Sequence, residues 1–129
     1  MEQLILHLFG DYITQSQWIA TNNRKSSMIA WRHSLIYSLP FILLLRYAPR
    51  PVLAGFVILT THFLIDRYGL ARYVVWLKNW MSLEGNSSWS ECRATGYSPD
   101  VPVWMAVWLM IIADNTLHLV INYCSLRWL

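Results

Sequence analysis

The sequence predicts an all-α protein: a helical transmembrane bundle of about four helices, with an added amphipathic interfacial helix after Asp66. Hydrophobic residues make up 56% of the 129 residues and charged residues only 13%, which is more apolar surface than a small soluble domain can bury. Many Trp and Tyr residues lie beside charges or at the ends of apolar runs, where membrane proteins place interfacial aromatics.

The charge-free runs are individually too short to cross a membrane. Residues 34–45, 51–61 and 101–113 contain no charge, but a span needs about 20 residues. The helices reach that length only if they continue through inward-facing polar side chains. A very apolar soluble bundle is the alternative.

The first two predicted helices cover residues 3–21 and 27–47. A polar turn at 22–25 separates them. Pro40 is expected to kink the second helix, because proline cannot donate its backbone hydrogen bond.

A tight reversal at residues 48–51, which holds two prolines, precedes a third predicted helix over 52–66. After Asp66, basic residues alternate with apolar and aromatic ones. This pattern predicts an amphipathic helix lying in the membrane interface, with a bend at Gly69.

The remainder is predicted to be a polar loop over 82–100 and a last helix over 102–126. The length allows one domain, residues 1–129. Two cysteines are too few for a disulfide framework. The scattered basic residues form no stripe with interleaved aromatics, so nucleic acid is not an expected partner.

One spacing recurs on three predicted helices, namely a histidine and an aspartate four residues apart, which places both on one helical face. Ionised aspartates in hydrocarbon are costly unless paired or coordinated, and helical bundles build metal sites from inward imidazoles and carboxylates. With His33 added, the candidate ligands are His7, Asp11, His33, His62, Asp66, Asp114 and His118.

The donor types suit a divalent metal, with zinc as the first choice and manganese or iron as alternatives. Seven candidates exceed one tetrahedral site, so either two ions bind or one ion uses some of them and the others support it. A metal-free proton relay or a buried ion-pair network is the other interpretation. Candidates for supporting hydrogen bonds on the same faces are Gln15, Asn115 and Asn122, with Tyr12, Tyr37 and Thr61 nearby.

The net charge is +3, and the more basic end of the predicted bundle is expected in the cytoplasm, with both termini outside. Three arginines near the site end are candidates for binding an anion such as a lipid phosphate, although ordinary snorkelling to headgroups explains them equally well. They are Arg32, Arg67 and Arg72.

Residues 7–15, with Trp18 after them, resemble the opening motif of a family of small uncharacterised membrane proteins of bacteria and their phages, His-x-x-Gly-Asp-x-x-x-Gln. The segments 62–66 and 114–118 resemble its His-x-x-x-Asp and Asp-x-x-x-His motifs. The resemblance implies a multi-pass protein of the bacterial inner membrane, in contact with lipids, without an established activity. The chain is more distantly similar to inner-membrane metal-dependent hydrolases.

The leading functional hypothesis is a membrane-embedded metal-dependent hydrolase that acts on a lipid, a lipid-linked molecule or a membrane peptide through metal-activated water. Asp11 or Asp66 is the expected general base. One alternative is a non-catalytic phage or prophage factor with a structural metal, which binds a host membrane protein or a second copy of itself. The other alternative is a metal or proton transporter.

Overall fold

A computed structural model describes residues 1–82 and 87–129, and these residues are helical without any strand. The described chain forms two compact units. Unit one comprises residues 1–68 and 118–129, and unit two comprises residues 69–117. The all-α prediction is therefore confirmed for the described part of the chain, while the single-domain expectation stays a prediction.

The first predicted helix, 3–21, is wrong as a continuous element. Helix α1, Glu2–Leu8, leads into a π-helical turn, Phe9–Ile13, and a break separates this turn from α2, Gln17–Asn22. Thr14 N–H donates to the Phe9 carbonyl, five residues back, and the Thr14 hydroxyl donates to the Gly10 carbonyl. Short hydroxyl side chains compete with the helical backbone in this way, and Ser16 then caps α2.

Proline disturbs the second helix as the sequence predicts. Helix α3, Ser27–Ser38, passes through a single 3₁₀ turn, Leu39–Phe41, that contains Pro40 and continues as α4, Ile42–Leu45. The element ends at Leu45 and not at residue 47. The turn that follows leads into the next helix at Pro51, because a proline is well suited to the first helical position.

Helix α5, Pro51–Tyr68, ends where Gly69 takes the left-handed conformation with φ 60°. Glycine adopts this conformation without a steric penalty and commonly terminates helices. Helix α6, Leu70–Trp80, follows at once. The predicted break at Gly69 and the amphipathic helix beyond it are thus confirmed as secondary structure.

The predicted polar loop, 82–100, contains a one-turn helix, α7, Trp89–Cys92, and its residues 83–86 lie outside the described residues. Helix α8, Val103–Trp128, completes the chain. Within residues 1–82 and 87–129, two helical stretches are long and apolar enough to cross a membrane, Ser27–Leu45 with 19 residues and Val103–Trp128 with 26.

Unit one has a small apolar core and a polar centre. Tyr37, Phe41 and Ile58 form the buried cluster, against which Leu6, Leu45 and Leu126 pack. All four histidines of the chain are also buried in this unit. Its interior therefore holds imidazoles where a soluble domain of this size would place aliphatic side chains.

Unit two is organised around α6. Ala71 and Val75 are the buried residues of α6. Gly96, with φ 83°, lies close to Arg72, Val75 and Trp76 of that helix. A Cβ atom at Gly96 would lie 2.3 Å from the Arg72 carbonyl oxygen, so this close approach requires glycine. Asn79 Nδ2 donates to the Gly96 carbonyl at 3.1 Å and fixes the segment.

Candidate metal centre

The candidate metal centre begins with two histidines on helices that pack together. His33 lies on α3 and His62 on α5, and their Nε2 atoms are 3.1 Å apart. Both side chains are buried, with 1% exposure. Two imidazole nitrogens therefore face each other inside unit one.

Two aspartate oxygens each complete a triangle with these nitrogens. Asp11 Oδ1 lies 3.4 Å from His33 Nε2 and 3.6 Å from His62 Nε2. Asp66 Oδ2 lies 3.4 Å from each of the same nitrogens. The carboxylates keep 14% and 11% exposure, so they reach the surface of the unit while the imidazoles are enclosed.

The edges of these triangles match the spacing of ligand atoms around a small divalent cation. Tetrahedral zinc with bonds of about 2.0–2.1 Å places its ligand atoms about 3.3–3.4 Å apart, whereas a good N–H···O hydrogen bond is nearer to about 2.9 Å. Asp11 Oδ1 is also buried without a hydrogen-bond partner. A bound cation would satisfy this oxygen, so the donor set fits a divalent metal.

Asp66 extends the cluster to α8. Its Oδ1 lies 3.2 Å from His118 Nε2, and Asn23 Nδ2 donates to its Oδ2 at 3.5 Å. In each of two groups of three residues, the ligand atoms lie within 4.8 Å of one another, so either group could hold a metal ion. The groups are Asp11, His33 and His62, and His62, Asp66 and His118.

Tyr37 contacts the cluster from its buried side. Its ring stacks on His62, with centroids 3.6 Å apart and planes 14° apart. The Tyr37 hydroxyl accepts a hydrogen bond from Asn122 Nδ2 at 2.6 Å and lies 2.9 Å from His7 Nδ1. The same His7 nitrogen is 3.4 Å from Asp11 Oδ2. His7 is thus close to Asp11 Oδ2, whereas the other oxygen of this carboxylate, Oδ1, faces His33 and His62.

Unit one gathers most of the predicted ligands: His7, Asp11, His33, His62, Asp66 and His118. Asp114 belongs to unit two, and it stays a candidate by its four-residue spacing from His118 alone. These candidate ligands lie on five elements, namely α1, the π-helical turn, α3, α5 and α8. The spacing of the motifs along the chain does not show that these elements converge.

The predicted supporting residues have different positions. Asn122 is buried and bonds to Tyr37. Asn115 lies in unit two and its side-chain amide donates to the Ile111 carbonyl at 2.8 Å. Gln15 is half-buried in the break before α2.

The predicted anion-binding arginines have local partners in two cases. Arg67 donates to the Ser27 hydroxyl at 3.1 Å and to the Arg24 carbonyl, which ties the turn before α3 to the end of α5. Arg72 donates to a backbone carbonyl after α7 at 3.2 Å. Arg32 is exposed on α3. Anion binding at the three arginines stays a prediction.

Tyr37, which the sequence places near the supporting candidates, and two residues beyond the predicted set shape the site. Tyr37 follows His33 by four residues, the same spacing as in the His–Asp pairs. Gly10 allows the Tyr37 ring to approach, since a Cβ there would lie 2.5 Å from Tyr37 Cδ2. Asn23 is buried beside Asp66, and it belongs to a polar turn in which no pattern distinguishes it from its neighbours.

A protein-family model with the description "Protein of unknown function (DUF3307)" matches residues 1–83. The chain belongs to the DUF3307 family. The DUF3307 match includes both triangles and Tyr37, whereas His118 and Asn122 lie beyond it. No curated protein and no solved structure matches the chain. Because the DUF3307 description states no function, the expected phage origin and the similarity to hydrolases stay predictions.

Proposed function

We propose that this chain is a membrane-embedded metal-dependent hydrolase whose ion is bound by Asp11, His33 and His62. This proposal rests on one triangle of ligand atoms. Asp11 Oδ1 lies 3.4 Å from His33 Nε2 and 3.6 Å from His62 Nε2, and the two nitrogens are 3.1 Å apart. Three protein ligands with a position left for water are typical of catalytic zinc sites.

The arrangement favours one ion and not two. The two candidate groups share His62, and an imidazole nitrogen has one lone pair to offer. Asp11 and Asp66 together carry two negative charges that a single divalent cation neutralises. Asp66 and His118 would then support the site or accept the ion in a second position.

Side-chain exposure supports a membrane location. Large apolar residues on the candidate spans and on α5 are exposed, such as Ile112 at 57% and Phe56 at 61%, while His7 and His118 are buried. Water disfavours this inverted distribution, whereas hydrocarbon favours it. This distribution supports a membrane environment, and we propose a multi-pass protein of the bacterial inner membrane.

The proposed chemistry is hydrolysis. A bound divalent metal lowers the pKa of its water and supplies hydroxide near neutral pH. Asp66 reaches both triangle nitrogens and retains 11% exposure, so it is the carboxylate best placed to take the proton as general base. The substrate would be a lipid, a lipid-linked molecule or a membrane peptide, since the proposed ligand His33 lies on a candidate membrane span.

A second candidate function follows from the same carboxylate. Asp66 Oδ2 is 3.4 Å from both nitrogens, and if it also binds the ion, four protein ligands fill a tetrahedral site. A closed site is structural. The protein would then be a non-catalytic membrane factor that the metal holds together, with a host membrane protein as its partner.

Metal content tests the proposal. The full chain, purified in detergent, is expected to contain about one equivalent of zinc, manganese or iron by elemental analysis. His62→Ala should lower this content strongly, because His62 belongs to both groups. Asp11→Ala should lower it as well, since Asp11 supplies the carboxylate of the proposed triangle. Asp100→Asn is the matched control, since Asp100 bonds locally to Ser98, and it should keep the wild-type content.

A wild-type protein without stoichiometric metal would contradict the proposal. X-ray absorption at the bound metal separates the two candidate functions. A water oxygen in the coordination sphere supports the hydrolase, whereas protein ligands at all positions support the structural metal.

A further inference from the structure

A chain of buried polar contacts lies behind the proposed ligands. It runs from Asn122 on α8 through the Tyr37 hydroxyl on α3 to His7 on α1, and from His7 to Asp11 in the π-helical turn. Tyr37, His7 and Asn122 are each at most 2% exposed. Such contacts are commonly found behind metal ligands, where they fix the orientation of the ligand side chains.

The position of His7 distinguishes it from the other histidines. Its Nδ1 lies within hydrogen-bond distance of the Tyr37 hydroxyl and 3.4 Å from Asp11 Oδ2. The other oxygen of the same carboxylate, Oδ1, faces His33 and His62. Among the residues that the structure describes, neither metal-capable group includes His7. His7 therefore fits as a partner of a ligand better than as a ligand itself.

Tyr37 acts on a different ligand through its ring. The stacking contact at 3.6 Å defines the plane of the His62 imidazole, and that plane determines where the Nε2 lone pair points. Gly10 makes the arrangement possible, because a side chain there would collide with the tyrosine ring. The ring thus contacts His62 directly, whereas the hydroxyl is connected to Asp11 only through His7.

We propose that Tyr37 and His7 are positioning residues of the metal centre: Tyr37 orients His62 by stacking and, with His7, orients Asp11, and neither residue binds the ion. This inference rests on the proposed metal site. It removes His7 from the set of ligands that the His–Asp spacing suggests, and it assigns a role to Tyr37.

Zinc affinity of the full chain in detergent tests the proposal, measured by competition with a chromophoric chelator. Removing a supporting partner typically weakens metal binding about 10–100-fold. Tyr37→Phe keeps the ring and loses the hydroxyl, so we expect a loss near the lower limit, about 10-fold. Tyr37→Leu loses both and should approach the upper limit, about 100-fold. Tyr47→Phe, at a residue 71% exposed, is the control and should bind as the wild type does.

The number of histidine ligands separates positioning from coordination. In His7→Gln, zinc X-ray absorption should count as many imidazoles as in the wild type, at a stoichiometry of about one ion. In His33→Gln it should count one fewer. The visible spectrum of the cobalt-substituted protein should shift in Tyr37→Phe, which a general loss of stability would not cause.

Three results would overturn the inference. One is a lower imidazole count in His7→Gln, which would make His7 a ligand. Another is wild-type zinc affinity in both Tyr37 variants. The third is a wild-type protein without metal, which refutes the proposed function as well and is thereby distinguishable from the first two.

Discussion

At the scale of single residues, unit one buries four imidazoles and two side-chain amides, whereas many of its aliphatic side chains are exposed. His33 and His62 have 1% exposure while Val52, on the same helix as His62, has 87%. Burying a polar group without partners is costly, and here the aspartates and Tyr37 supply partners. The histidines that interrupt the apolar runs therefore lie in the interior of this unit.

Gly10 offers a stability test at this scale. Gly10→Ala places a methyl group 2.5 Å from Tyr37 Cδ2, and Tyr37 is fully buried and cannot move freely. Forcing extra volume into a packed interior typically costs about 1–3 kcal/mol. We expect a lower thermal unfolding midpoint by circular dichroism in detergent.

The matched control for this substitution is Gly55→Ala on α5. Its new methyl group would meet Leu45 Cδ1 at 3.0 Å, the flexible end of a side chain, and alanine gains about 0.8–1.0 kcal/mol of helix propensity over glycine. The midpoint should be unchanged or higher. Equal destabilisation by both substitutions would contradict the argument that the Gly10–Tyr37 contact is tight.

At the scale of elements, the π-helical turn Phe9–Ile13 decides where Asp11 lies. The i→i+5 bond from Thr14 N–H to the Phe9 carbonyl inserts an extra residue into the turn. Such insertions are frequent at functional sites. The His-x-x-Gly-Asp spacing is compatible with a regular α-helix as well as with a π-helical turn. The sequence therefore predicted a helix here but not the π-helical turn within it.

Helix α7 supplies a pH-dependent prediction. Ser88 donates to Glu91 Oε2 through its hydroxyl and its backbone N–H, and these bonds lower the pKa of the Glu91 carboxyl from its usual 4.5. The capping contribution is therefore present above pH 4.5 and is lost as the pH falls through the lowered folded-state pKa. NMR titration of the Glu91 carboxyl should show this lowered midpoint.

Two variants check the cause of that shift. Ser88→Ala removes the hydroxyl donor, so the Glu91 midpoint should rise toward 4.5. Ser98→Ala, whose hydroxyl donates to Asp100 Oδ2 instead, should leave it in place. An unchanged midpoint in Ser88→Ala would assign the shift to something other than the capping box.

At the scale of the whole molecule, the outward apolar side chains argue for a membrane environment. Ile112 lies within the 26-residue helix α8 and is 57% exposed. Arginine near the centre of a span costs about 2.5–3.5 kcal/mol on insertion scales. Ile112→Arg should reduce the fraction of the protein that resists alkaline carbonate extraction from membranes.

Met81→Arg is the control, because Met81 is 70% exposed and lies outside both candidate spans. It should extract as the wild type does. If Ile112→Arg stays in the membrane fraction as completely as Met81→Arg, α8 does not cross the bilayer at this residue.

The sequence by itself determined the helical class and the pairing of histidine with aspartate, because both depend on the helical period, which acts over four residues. It also placed the break at Gly69 and the disturbance at Pro40, since each follows from the backbone chemistry of one residue. These features can be predicted without knowing which helices pack against each other.

Only the tertiary structure decided which ligand atoms meet. His33 and His62 are 29 residues apart and Asp11 is on a third element, so their convergence depends on how α3, α5 and the π-helical turn pack. The same packing places Tyr37 between His7 and His62. Contacts between distant segments depend on shape and volume, which the spacing of residues along one helix does not encode.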